Sequence, residues 1–286
     1  MIAGNWRQWV TGDAWRDADL SVLAPPPRNF DEILRLAHET DIDPRRLVTL
    51  VASDPVIAIR VLRLANSAAY APMGGVTSIE RAVIRLGTQT VREAVLAAVF
   101  SAWAKTADRF GARGIEEVQH AVGTACLARL VAERAGGSRS ESFLHGLLHD
   151  IGKLFLLKLR TEFIRLGGHR PATEETEAVI DEHHAEMGAT ALQLWGLPET
   201  VREPVRWHHA PLSAPAHQQS AAIVYTANRL SHRYGFGRKP GEGDGDLAAD
   251  LAGDPICAAS GVDAAWLAAM DQDALNLLVA ARQFAA

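Results

Sequence analysis

A chain of 286 residues with 48% hydrophobic and 22% charged residues has the composition of a soluble globular protein, long enough for one large domain or two modest ones. Its net charge of −5 and pI near 6.1 argue against a broad nucleic-acid-binding surface. Cys126 and Cys257 are far apart and form no disulfide or zinc pattern, which fits a reducing cytoplasm, and the longest uncharged apolar run, 94–104, is too short to span a bilayer.

Taken in order, residues 1–22 form an N-terminal extension. Trp6, Trp9 and Trp15 at near-helical spacing predict a short helix that anchors elsewhere on the protein, and Arg7, Asp13, Arg16 and Asp17 interrupt any signal-peptide pattern. Residues 23–112 make a first helical half. After the stiff Pro25-Pro26-Pro27, the residues Phe30, Ile33, Leu34 and Ala37 carry a helical period. Asp43-Pro44 and Asp54-Pro55 each place an N-cap before a proline at the first helical position. Asn66-Ser67 is a polar pair in an otherwise apolar stretch; Asn66 is expected to be buried and bonded to a neighbouring backbone. Ser78 caps a helix that Gly87 ends, and Thr88 opens another to about Lys105.

The stretch 110–115 reads as a short glycine-containing connection, which puts the sub-domain boundary there and a helical bundle at 113–235. Its first helix, about 116–135, carries His120. Ser138 and Glu141 are spaced as a capping box for a central helix in which His145 and His149 share a face, with Asp150 directly behind. Further helices bring His183 and His184, then His208 and His209 after a helix that Pro204 is expected to kink or break, then Asn228. Residues 236–246 read as a charged glycine-rich loop, and two short helices, about 264–270 and 273–284, close the 236–286 segment. Nowhere does strand-like alternation appear, so the fold class is all-α.

At this composition about 0.4 His-His pairs arise by chance, whereas the chain has two. His120, His149, Asp150, His184, His208 and His209 come from four helices, the way a helical bundle assembles a metal site from inward side chains. Imidazole with carboxylate suits zinc, iron or manganese, and the aspartate is placed to bridge two ions. Taken singly, His120 and His184 read equally as core histidines satisfied by carbonyls, and His209 as a surface residue. Lys153 reads either as a counter-charge for a phosphate or as a solvated helix end.

Several motifs together resemble the HDOD family, the HD-related output domain of bacterial signalling proteins. They are Asp54-Pro55, Leu62-Arg63-Leu64-Ala65-Asn66-Ser67, Leu86-Gly87, the run from Gly146 to Lys153 with His149-Asp150, His184 to Ala189, Trp195-Gly196-Leu197-Pro198 and His208-His209. The resemblance implies an N-terminal helical sub-domain packed on an HD-domain-like helical bundle. It implies a cytoplasmic regulatory module, as in response regulators, that works through a signalling protein partner, with no membrane or direct nucleic-acid contact. The related HD-GYP phosphodiesterases hydrolyse cyclic di-GMP at a metal centre. Carried over, their ligand positions fall on His120, His149, Asp150, His184, His208, His209 and Asn228, with Asp150 and Lys153 as the catalytic pair if the chain turns over substrate.

Two departures stand out. Asn228 puts a neutral amide where those enzymes have a carboxylate, and Ala210-Pro211-Leu212 replaces their Gly-Tyr-Pro signature. The resemblance therefore implies a regulator with a divalent metal site for iron, manganese or zinc. The alternative is a metal-dependent phosphohydrolase or phosphodiesterase with a nucleotide ligand.

Overall fold

The computed structural model describes residues 5–12, 14–17, 43–67, 70, 75–104, 111–236 and 251–270, and among these there is no strand. The readings for Pro25-Pro26-Pro27, for 30–37 and for 273–284 lie outside the described residues.

The first sub-domain is built on two well-capped helices. Asp43 accepts from the Arg45 amide to start α2 (Pro44–Ser53), and Asp54 accepts from the Val56 and Ile57 amides to start α3 (Pro55–Ala65). Each cap satisfies amides that the first helical turn leaves without partners. Against them lies α4 (Ile79–Ala104), bent where Gly87 adopts φ 76°. Glycine tolerates that left-handed conformation at no Cβ cost, so the chain turns there and resumes a helix, as the sequence predicts.

Asn66 clamps the connection that follows α3. Its side chain donates to Val76 O and Leu62 O and accepts from Val76 N, at 2.8, 2.9 and 2.7 Å. The bond to a neighbouring backbone is as expected, but Asn66 is exposed, not buried. The amide works from the rim because all it must reach is main chain at the end of the connection.

In the bundle, α5 (Gly111–Ala135) lies along α6 (Arg139–Leu148), and α7 (Ile151–Arg165) lies along α8 (Thr173–Leu194). The short α9 (Glu199–Arg206) and then α10 (Gln218–Arg233) complete it, and α11 (Pro255–Ala259) packs against α10. One apolar cluster runs from Leu47 and Val61 through Val91 to Leu127, Leu144 and Ile223, so the two halves share a core. A buried ion pair crosses the same join: Arg129 on α5 lies 3.2 Å from Glu93 on α4, and Glu93 also accepts from Gln89 at 2.7 Å. Burial raises the Glu93 carboxyl, while Arg129, Gln89 and Arg92 pull it back.

The N-terminal tryptophans pack on α7 and α8. α1 (Trp6–Thr11) and a 3-10 turn (Ala14–Asp17) bury Trp6, Trp9 and Trp15 against Phe163 and Phe155, and Arg7 pairs with Glu182 of α8. Aromatic side chains bring the largest apolar area per residue, which is what holds so short a helix in place.

Three local expectations are corrected. Residues 111–115 are the first turn of α5, not a connection, because nothing there stops the helix. Only half of the capping box forms: Ser138 accepts from the Glu141 amide, with no return bond to the cap. α9 runs through Pro204 to Arg206, so of the kink or break expected at this proline the break does not occur; the helix ends two residues later, where Trp207 N still reaches Glu203 O at 3.0 Å.

Candidate metal centre

The central segment is not one helix. α6 stops at Leu148, α7 begins at Ile151, and His149 and Asp150 occupy the turn between them. His149 keeps helical backbone angles, and the chain departs from the helix at Asp150, with φ −101° and ψ 12°. His145 is buried on α6 and belongs to neither of the two groups described next.

Gly152 makes the approach possible. A Cβ there would lie 1.9 Å from His184 O and 2.6 Å from Gly188 N, so α7 crosses α8 at backbone contact. That crossing sets Asp150 beside His184. The helices then converge six predicted ligands into two groups, His120 with His149 and Asp150, and His184 with His208 and His209; within each group the candidate ligand atoms lie within 4.8 Å of one another. Asp150 joins them. Its Oδ2 lies 3.3 Å from His120 Nε2 and 3.2 Å from His149 Nε2, and its Oδ1 lies 3.3 Å from His184 Nε2 and 3.7 Å from His208 Nε2.

Backbone carbonyls fix the state of the rings. His120 Nδ1 donates to Phe236 O, His149 Nδ1 to Gly146 O, His184 Nδ1 to Ile180 O and His208 Nδ1 to Val205 O, at 3.1, 2.8, 2.9 and 2.6 Å. A carbonyl only accepts, so these bonds assign each ring proton to Nδ1 and leave Nε2 bare in the neutral ring. Burial keeps His149 and His208 below the ordinary histidine range, hence neutral. Burial opposes the charge on Asp150, but the Lys153 ammonium against its Oδ2 favours it, and the carboxyl is held below the usual range.

In the first group His120 Nε2 and His149 Nε2 are 3.2 Å apart, and Asp150 Oδ2 faces both. Lone pairs so placed repel unless a cation stands between or beside them. Lys153 supplies one such charge, with Nζ 2.5 Å from Asp150 Oδ2 and 3.8 Å from Glu117. In the second group, His184 Nε2 lies 2.9 Å from His209 Nε2 and 3.4 Å from His208 Nε2, and His209 reaches the surface. Fixed tautomers, inward lone pairs and a shared carboxylate are the donor chemistry of a divalent metal site.

Asn228 lies on α10, one turn before Ser231, whose hydroxyl is 3.2 Å from His120 Nδ1. It is buried, and its Oδ1 has no hydrogen-bond partner. His183 stays outside the two groups, beside Glu182 at 3.5 Å.

One residue escaped sequence reading. His232, one turn beyond Asn228, stacks on His120 with centroids 4.7 Å apart and planes at 28°. Burial, then His120 and Lys153, push it down to about 3. The spacing Asn228 to His232 was the available signal, since positions four apart share a helix face.

The HDOD domain family model matches residues 23–211. A relative from Treponema pallidum (strain Nichols), known only as an uncharacterized protein, is 26% identical over 229 residues, covering 76% of this chain and 43% of the relative, so the chain spans less than half of that protein. Among solved structures, an HDOD domain protein of unknown function from Geobacter sulfurreducens superposes with a TM-score of 0.73 at 24% identity, covering 98% of this chain and 96% of that one. A Shewanella amazonensis SB2B protein, provisionally named a metal-dependent phosphohydrolase, gives 0.65 at 17% identity over 99% of both chains. A protein from Marinobacter aquaeolei VT8, provisionally named for signal transduction, gives 0.64 at 22% identity, covering all of this chain and 61% of that one. At these identities the likeness is one of fold.

Proposed function

The chain belongs to the HDOD domain family, and from that premise we propose that it is a regulatory signalling module which holds a divalent metal in its helical bundle and acts through contacts with a partner protein. The observation that carries this reading is a near-complete set of metal ligands whose last position is an amide. His120, His149 and Asp150 form one half-site, His184, His208 and His209 the other, and Asp150 spans the two. At Asn228 a carboxylate is missing, which removes one anionic ligand and one group able to orient an attacking water.

The donor set suits iron, manganese or zinc. A divalent ion there would act as a Lewis acid toward a phosphoryl oxygen and activate water. The chain's own groups do the rest. Backbone carbonyls lock the histidine tautomers, Asp150 carries the charge that both half-sites share, and Lys153 stands ready to offset a phosphate. Metal in this centre also ties α5, α7, α8 and α9 together, so its occupancy bears on the shape the bundle presents.

A second reading, a metal-dependent phosphohydrolase acting on a nucleotide such as cyclic di-GMP, draws support from Lys153 Nζ at 2.5 Å from Asp150 Oδ2. Assays of the metal-bearing protein against cyclic di-GMP and a generic phosphodiester separate the two. The regulator reading expects no turnover. Hydrolysis that disappears in His149→Ala would overturn it in favour of the enzyme.

A further inference from the structure

We propose that His232 is a contact for an oxyanion, of the phosphate or phosphate-ester class, received at the His120–His149–Asp150 half-site. The inference rests on the metal reading above and adds to it the chemistry of the ligand.

Three observations meet at this residue. His232 stacks on His120, which fixes the ring beside a metal ligand without making it one: it falls outside both groups whose ligand atoms lie within 4.8 Å of one another. Its Nδ1 is buried and has no hydrogen-bond partner. A buried polar atom left unpaired costs about 1–3 kcal/mol, so such an atom next to a metal centre asks for a partner from outside the chain. The third observation is charge. Lys153 lies near enough to act on His232 electrostatically, and its ammonium stands 2.5 Å from Asp150 Oδ2.

An oxyanion fits these groups. One oxygen would accept from the Nδ1–H of His232, and the Lys153 ammonium would offset the charge. A metal ligand does not fit His232, since its ring is held too far from the other donors. A phosphate oxygen reaches across that gap, as substrate oxygens do between a metal and outer-shell donors.

The test uses inorganic phosphate as the probe and the full chain, purified without a histidine tag and carrying the metal it retains. Metal content is measured first, then phosphate affinity by calorimetry. The unmodified protein should bind phosphate. His232→Phe, which keeps the stacked ring and loses both nitrogens, should bind it at least tenfold more weakly with unchanged metal content and an unchanged circular dichroism spectrum. His232→Asn, which restores an N–H donor, should recover part of the loss. Equal phosphate affinity in the unmodified protein and His232→Phe overturns the proposal, as does metal-loaded protein that binds no phosphate; both outcomes leave the metal reading intact. Protein that takes up no metal at all sinks that reading, and this inference with it.

Discussion

His120 and His149 face each other Nε2 to Nε2 at 3.2 Å, and the Nδ1 of each ring bonds a backbone carbonyl, Phe236 O for the first and Gly146 O for the second. With the Asp150 carboxylate beside both nitrogens, the three side chains make a donor cluster suited to a divalent cation.

Asn228→Asp should tighten metal binding. The amide is buried with an idle Oδ1, and a carboxylate of the same size adds an anionic donor at the position where the related enzymes have one. Competition with a chromogenic chelator should show affinity rising by about tenfold or more, the scale on which neighbouring groups tune such centres. An unchanged affinity would place Asn228 outside the centre.

Gly152→Ala should loosen the centre without touching a ligand. The new methyl would collide with His184 O at 1.9 Å, and because the obstacle is backbone, α7 must lift from α8. Stability should fall by about 1–3 kcal/mol, the usual cost of overpacking, and metal content should fall with it as His184 leaves Asp150. A normal melting curve with full metal content would contradict the backbone contact.

Glu93→Gln should cost about 3–5 kcal/mol, because it strands the buried Arg129 guanidinium without its carboxylate. Urea unfolding would measure it. Replacing both partners, Glu93→Met with Arg129→Met, should recover most of the loss, since no buried charge is then left alone. A single variant as stable as the parent would mean that the pair contributes nothing at this join.

Asn66→Ala should destabilise by about 1 kcal/mol. Three hydrogen bonds to main chain are lost, but the site is exposed and water replaces part of them. Thermal melts identical to the parent would show that the clamp on Val76 is dispensable.

What sequence could and could not yield follows from the range of the interactions. Asp43-Pro44, Asp54-Pro55 and Gly87 act within a few residues, and each does in the structure what its local chemistry demands. The histidines of the two groups were legible because His-His pairs exceed the chance expectation in this sequence. The break between Leu148 and Ile151 was not, because no glycine or proline stands at 149–150 to mark it, and the close approach of α7 to α8 at Gly152 joins segments far apart in the chain. The exposure of Asn66 and the landing of the tryptophans on Phe155 and Phe163 depend on tertiary placement in the same way. His232 was missed because its significance lies in a ring stacked on it from another helix.

The central claim is that this bundle holds metal, and elemental analysis by inductively coupled plasma mass spectrometry tests it most directly. Protein made without a histidine tag, in medium containing iron, manganese and zinc, should carry at least about one equivalent of a divalent metal, the complement of a single filled half-site. Asp150→Ala removes the carboxylate common to both half-sites and should bring the content close to zero, with the fold checked by circular dichroism. Unmodified protein containing no stoichiometric metal, or an Asp150→Ala variant that retains all of it, would contradict the account.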